Sequence, residues 1–301
     1  MISSQRPLRR RAIKLATALL GPDWAHAHAW LPYLKLEKIQ NCTNIVYRNR
    51  PVTQLSSPGI FAAAAGPQIY IVGSGPSVGQ SDLTLLEPHS CLLLNGAIDE
   101  IGRQIKTPLA VVIEDERFVW RHFAMLQERI HPNTICFFSV GVIRALCERD
   151  PVWLASMRII LLDDIRKPYR LARRPLKKLR RDPDAIVNAS GTAGFSGNPE
   201  HGVFQGGTVA ISAFQLAAYA RPELIGLVGI DILNADQPRF YEQEGRSAPS
   251  GLKRAQKRIA DHLRLAIEIC TKRGIKVENY SRESILVHCG LPYNARLARK
   301  V

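Results

Sequence analysis

Three glycine-centred or acidic segments hold residues suited to binding an anion. Gly73, Ser74, Gly75, Pro76 and Ser77 directly follow a short β-branched run, QIYIVG at 68–73. Glycines after a strand let the backbone approach a ligand and free N–H groups to face a phosphate or ribose. Gly206 and Gly207, followed by Thr208 as a cap, open a long apolar run. Orphan N–H groups and the helix dipole favour an anion at such a start. Asp231 closes VGID at 228–231, and Tyr241 in RFY at 239–241 carries a hydroxyl that suits a phosphate. Each feature also has a plain structural reading: a tight turn, a simple cap, a positioned loop, a packed ring.

Two common chemistries fit poorly. A dinucleotide fingerprint needs Gly-x-Gly-x-x-Gly and an acid at the end of the second strand. Here the third glycine is displaced to Gly79, Pro76 interrupts the turn, and the second strand ends at Asn95. Asp182-Pro183-Asp184 matches an Asp-x-Asp pattern that can hold Mg²⁺ against a diphosphate, but its central proline after a basic run reads as a turn. His26 and His28 make a weak pair, and no metal is expected. A Walker loop and a nucleophile elbow are both missing from the sequence.

The elements that must position these residues alternate. Apolar runs at 68–73, 91–95, 109–113, 134–138, 158–162, 224–230 and 275–280 predict short buried strands. Helical spacing occurs at 98–104, 119–130, 208–220 and 252–273. This alternation predicts an α/β fold, Rossmann-like, with a mostly parallel doubly wound sheet. In such sheets the glycine segments fall at the carboxyl edge, where ligands bind. Residues 1–60 read as an irregular basic arm or membrane-associating layer, and 61–301 as the Rossmann-like domain. An insertion at about 163–205 interrupts that domain. Its first part, 166–181, has nine basic residues among sixteen, and 182–207 is rich in Gly, Ser, Asn and Pro. The expectation is a basic, mobile lid facing an anionic partner.

The chain of 301 residues has a formal net charge of +15, so anionic partners are expected. No pair of the six cysteines is Cys-x-x-Cys, and Cys91 and Cys136 sit in apolar runs, which suits a reduced cytoplasmic setting. Arg6, Arg9, Arg10, Arg11 and Lys14 precede a short apolar stretch without a convincing cleavage site. A basic amphipathic segment on a membrane surface and an ordinary surface helix both fit. The basic residues lack the interleaved aromatics of a single-strand nucleic-acid platform.

The ordered motifs resemble a family. IVGSGPS at 71–77, LNG at 94–96, GGTVA at 206–210 and GID at 229–231 are similar to segments of the bacterial lipooligosaccharide sialyltransferases. A closer resemblance is to the lipopolysaccharide core proteins that add a third Kdo (3-deoxy-D-manno-oct-2-ulosonic acid). It adds LNGA at 94–97, EDERF at 114–118, GFS at 194–196, RFYE at 239–242, Pro249-Ser250 and NYS at 279–281, over roughly 68–292. That resemblance implies a glycosyltransferase using a CMP-linked sugar acid without an essential metal or further cofactor. It implies a CMP-Kdo donor, a lipid A–linked Kdo acceptor and a peripheral place on the cytoplasmic face of the inner membrane. By position, residues 73–77 would hold cytidine and phosphate, and Asn95 the ribose, phosphate or sugar. Asp115 would lie near the sugar, Gly206-Gly207 near cytosine or phosphate, and Tyr241 against the departing CMP. The sialyltransferases use a His base before the long helix, and 251–257 has none. His262 is nearest, roughly a turn and a half further along. Asp115 is the other candidate base. A sialyltransferase, a pterin pyrophosphokinase-like enzyme needing ATP and Mg²⁺, and a non-catalytic membrane or nucleic-acid binder are the alternatives.

Overall fold

A computed structural model describes residues 26–40, 42–231 and 252–299. Three strands come first: β1 (Leu34–Ile39), β2 (Cys42–Tyr47) and β3 (Arg50–Leu55). They form an antiparallel sheet in the order β1-β2-β3. Helix α1 (Gly59–Ala64) leads into β4 (Gln68–Val72), β5 (Cys91–Leu94) and β6 (Ala110–Ile113). Then follow α2 (Glu116–Arg129), β7 (Ile135–Phe138), α3 (Val140–Arg149), α4 (Pro151–Ala155) and β8 (Arg158–Leu161). The insertion supplies α5 (Leu176–Leu179), β9 (Ala185–Val187) and β10 (Gly194–Ser196). The chain closes with α6 (Val209–Tyr219), β11 (Leu224–Val228), α7 (Leu252–Lys272) and β12 (Lys276–Asn279).

The main sheet has seven strands in the order β12-β11-β4-β5-β6-β7-β8, all parallel. Seven expected strands are all present. The fold is a doubly wound α/β sheet with the basic insertion. From β4 the chain walks outward to β8, then returns to the other side of β4 through β11. The order therefore reverses between β4 and β11, a topological switch point where such sheets open a ligand crevice.

Alternate residues of each strand enter two cores, which is why the strands read as unbroken apolar runs. Ile69, Ile71, Leu92, Leu94, Val112 and Phe137 pack with Phe214 of α6 and with Ile259 and Leu263 of α7. Tyr70, Val72, Leu93, Val111, Ile113 and Phe138 face the other way, against Phe118 and Leu126 of α2 and Ile143 and Leu146 of α3.

Three local expectations are corrected. Residues 34–55 are not irregular: LKLEKI and TNIVY alternate, and Leu34, Ile45 and Tyr47 of this meander enter the second core. The buried Arg144 of α3 donates to the carbonyls of Leu31, at 3.1 Å, and His28, at 3.3 Å, fixing its entry. The expected helix at 98–104 is instead a 3-10 turn at Asn95–Glu100, followed by Gly102 at φ 78°. The insertion is anchored rather than loose. Ile165, Leu179, Ala185 and Phe204 form a small core of their own, and Tyr169 Oη donates to Leu34 O at 2.9 Å. Gln215 of α6 ties it to the main domain. Its Oε1 accepts from Ser196 N and Phe204 N, each at 2.9 Å, and its Nε2 donates to Phe204 O.

All six cysteines are free thiols. Among the described residues no helix is long and apolar enough to cross a membrane. The arginine-rich start lies outside the described residues.

Candidate nucleotide site at the sheet switch point

The turn after β4 is laced to the end of β11. Gly73 N donates to Val228 O at 2.7 Å, and Gly75 N to Gly229 O at 3.0 Å. Gly229 sits at φ 67°, and a Cβ on Gly73 would collide with the Gly229 carbonyl. Both glycines are thus required by a close backbone crossing. Asp231 completes the lacing: Ser77 N donates to its Oδ2 at 2.6 Å and Ser77 Oγ to its Oδ1 at 2.7 Å. Asp231 is 7% exposed, and burial raises its pKa against the two Ser77 hydrogen bonds. A Cβ on Gly75 would meet that carboxylate.

This geometry changes what the turn can offer. The N–H groups of Gly73, Gly75 and Ser77 are engaged within the protein, so they do not face a phosphate as expected. What the turn presents is partly exposed Ser74, Gly75 and Pro76 on a rigid base. Asp231 acts as the clamp on that base, a positioning residue rather than a ligand contact.

Asn95 stands at the carboxyl end of β5, with φ 46°. Its Oδ1 is buried and accepts no hydrogen bond from any described residue. An orphaned buried acceptor is costly, commonly about 1–3 kcal/mol, and in a native fold it calls for a partner. A ribose hydroxyl or a cytosine amine fits that need.

One strand further, Glu114 follows β6. Its carboxylate accepts from Ser212 Oγ of α6 at 3.0 Å. Burial first, then the nearby Asp164 and Asp115 charges, push its pKa up to about 7 against the Ser212 hydrogen bond. Asp115 is spoken for. It caps α2 by accepting from Arg117 N at 2.9 Å, and it pairs with the Arg117 guanidinium. As the N-cap of α2 and the partner of the Arg117 guanidinium, Asp115 has its oxygens engaged, so the geometry counts against that role.

The start of α6 approaches the same edge. Thr208 Oγ1 accepts from Ala210 N at 3.4 Å, and Gly207 takes φ 110°. Gly206 has no room for a side chain, because a Cβ would lie 2.9 Å from His262 Cδ2. Arg258 of α7 donates from Nε to Gly206 O at 2.9 Å. A Cβ on Gly207 would lie 2.7 Å from Arg258 Nη2, and its φ of 110° strains any other residue. A helix start and an arginine together make a suitable cradle for one phosphate or carboxylate.

His262 is neither a surface residue nor free for catalysis through Nδ1. It is 6% exposed, and Nδ1 lies 2.9 Å from Gly194 O. Burial lowers its pKa to about 4. The ring wedges the β9–β10 hairpin against Gly206, which is a structural task. Tyr241 lies outside the described residues. Asp182 and Asp184 form a turn, the first pairing with Arg174 and the second with His201 Nδ1 at 2.7 Å. No three His, Cys, Asp or Glu side chains gather to hold a metal among the described residues.

Residues 73–77 and Asp231 are joined directly, while Asn95 after β5 and the start of α6, tied to Glu114 through Ser212, stand along the same carboxyl edge of the sheet. Glu114, Ser212 and Arg258 join them and escaped the sequence reading. Glu114 carried one signal, an acid directly after the apolar run at 109–113. Arg258 carried none, being one of several basic residues on a long helix.

No family model matches this sequence, and no curated protein matches it. Solved structures do show a likeness. The sialyltransferase CstII from Campylobacter jejuni, in complex with the substrate analogue CMP-3FNeuAc, is 14% identical. It matches over 78% of this chain and 89% of its own, with a TM-score of 0.39. The monofunctional alpha-2,3-sialyltransferase Cst-I from the same organism is 16% identical over 78% of this chain and 83% of its own, with a TM-score of 0.42. At those scores the overlap is loose, and the fold assignment rests on the strand order itself.

Proposed function

We propose that this chain is a CMP-sugar-dependent glycosyltransferase that moves Kdo from CMP-Kdo to a lipid A–linked Kdo acceptor at an anionic membrane surface. The observation that carries the reading is Asn95 Oδ1, buried without a donor among the described residues, at the end of the strand next to the switch-point turn. The glycine start of α6 with Arg258 stands on the same edge. A CMP-sugar acid matches these features chemically. It brings hydroxyl and amine donors for Asn95, one phosphate for the α6 start and Arg258, and a second anion in its carboxylate. With one phosphate rather than two, the charge to be neutralised suits an arginine and a helix start. Tyr241 would stabilise the departing CMP.

The choice of Kdo rests on the ordered motifs from 71–77 to 279–281. Association with an anionic surface rests on the insertion. Lys167, Arg170, Arg173, Lys177, Lys178 and Arg181 are exposed there, and Leu171 among them is 63% exposed. Basic groups near such a surface contribute about 1 kcal/mol each, and an apolar side chain can enter the interface.

The donor is tested by CMP release. Protein mixed with Kdo-lipid A should release CMP from CMP-Kdo and not from CMP-sialic acid. Release from CMP-sialic acid alone would move the assignment to a sialyltransferase. Release from neither would overturn the transferase reading.

A further inference from the structure

Five acids lie near the carboxyl edge on the β6–β8 side of the sheet, and four are committed, Glu116 facing His28 Nε2 at 3.9 Å. Asp115 caps α2 and pairs with Arg117. Asp163 accepts from Tyr169 N at 2.8 Å and Asp164 N at 2.9 Å, and Asp164 accepts from Arg166 N at 2.9 Å. These hold the start of the insertion in place. Glu114 is the exception. Among the described residues its carboxylate has one hydrogen-bond partner, Ser212 Oγ, and no cation pairs with it. This is notable in a chain of net charge +15.

Its position is set from several sides. The backbone is fixed by β6 on one side and by Ser139 Oγ, which donates to Glu114 O at 2.7 Å. The carboxylate is fixed by Ser212, in the first turn of α6, about 6 Å along the helix from the Thr208 cap by helical rise. Glu114 as a whole residue is intermediate in exposure, while its carboxylate is largely enclosed.

We propose that Glu114 accepts the proton of the acceptor hydroxyl during sugar transfer, an inference that rests on the transferase reading above. As the acceptor oxygen bonds to the anomeric carbon, the bond from that carbon to the phosphate oxygen breaks. CMP departs with that electron pair. The hydroxyl proton passes to the Glu114 carboxylate and is then released to solvent. Burial and the facing Asp164 and Asp115 make this carboxylate basic enough to work near neutral pH, while Ser212 opposes them. A group poised there is matched to a proton transfer in a way that the arginine-held Asp115 and the buried His262 are not.

The test follows CMP release from CMP-Kdo with Kdo-lipid A between about pH 5 and 9, for wild type, Glu114→Gln, Glu114→Asp and Ser212→Ala. Glu114→Gln should lose about 100-fold or more in kcat, keep its donor KM and its CMP binding, and lose the acidic limb of the pH profile. Glu114→Asp should recover part of the rate. Ser212→Ala should move the acidic limb to higher pH, because a hydrogen bond to the carboxylate is gone. An active wild type beside a Glu114→Gln enzyme within about threefold of its kcat, with the same limb, would overturn this inference alone. A wild type that releases no CMP from any CMP-sugar would overturn the transferase reading and this inference with it. Should Glu114→Gln fail to fold, an unshifted limb in Ser212→Ala overturns the proposal.

Discussion

A buried neutral imidazole makes folding depend on pH. His262 has its pKa lowered by burial from 6.5 to about 4. As pH falls below 6.5 the unfolded chain takes up this proton and the folded chain does not until about pH 4, so stability falls across that window. The full gap is about 3 kcal/mol. His26, also lowered to about 4, acts in the same direction. Glu114 and Asp163, raised to about 7 and about 6, act in the opposite one. The clean readout is therefore a difference. The stability advantage of wild type over His262→Gln in denaturant unfolding should shrink by about 3 kcal/mol from about pH 7 to pH 4. A constant difference would contradict the buried, neutral assignment. Asp231→Asn should weaken the clamp on Ser77 and cost about 1–3 kcal/mol, with CMP binding weakened in parallel. Ser77 and Asp231 were each visible as strand-end residues. Their bond was not, because it joins residues 154 apart, and strand order rather than local pattern decides it. His262 was misjudged for the same reason: its helix is amphipathic, but the hairpin that buries it comes from 185–196.

At the scale of elements, α6 is both the back wall of the site and the staple of the insertion. Gln215→Leu would leave Ser196 N, Phe204 N and Phe204 O without their amide partner. A loss of at least about 2 kcal/mol in denaturant unfolding is expected, since each buried unpaired group costs about 1–3 kcal/mol. Hydrogen exchange at residues 194–196 should accelerate in this variant; unchanged protection would mean that the staple is not needed. The strands of the large sheet were legible because parallel strands are covered on both faces and mostly end in Gly, Asn or an acid. The N-terminal meander was not. Its strands bury one face only, and its β2–β3 turn uses Arg48 and Asn49 at φ 52° and 61° with no glycine to announce it. Helix α3 was overlooked as well. It is short, and the buried Arg144 sits inside its apolar run from Val140 to Cys147.

The whole molecule joins a rigid sheet-edge site to a basic, partly apolar insertion. Replacing Lys177, Lys178 and Arg181 by glutamate should reduce binding to vesicles containing anionic lipid by at least about tenfold, and added salt should do the same to wild type. Equal binding by the variant would place the contact elsewhere on the molecule. Calorimetric titration of CMP probes the switch-point site itself. Wild type should bind CMP in preference to AMP, and Asn95→Ala, which removes the buried acceptor, should lose about tenfold in affinity, or about 1.4 kcal/mol. Absence of CMP binding, or equal binding by the Asn95→Ala variant and by AMP, would contradict a CMP site there.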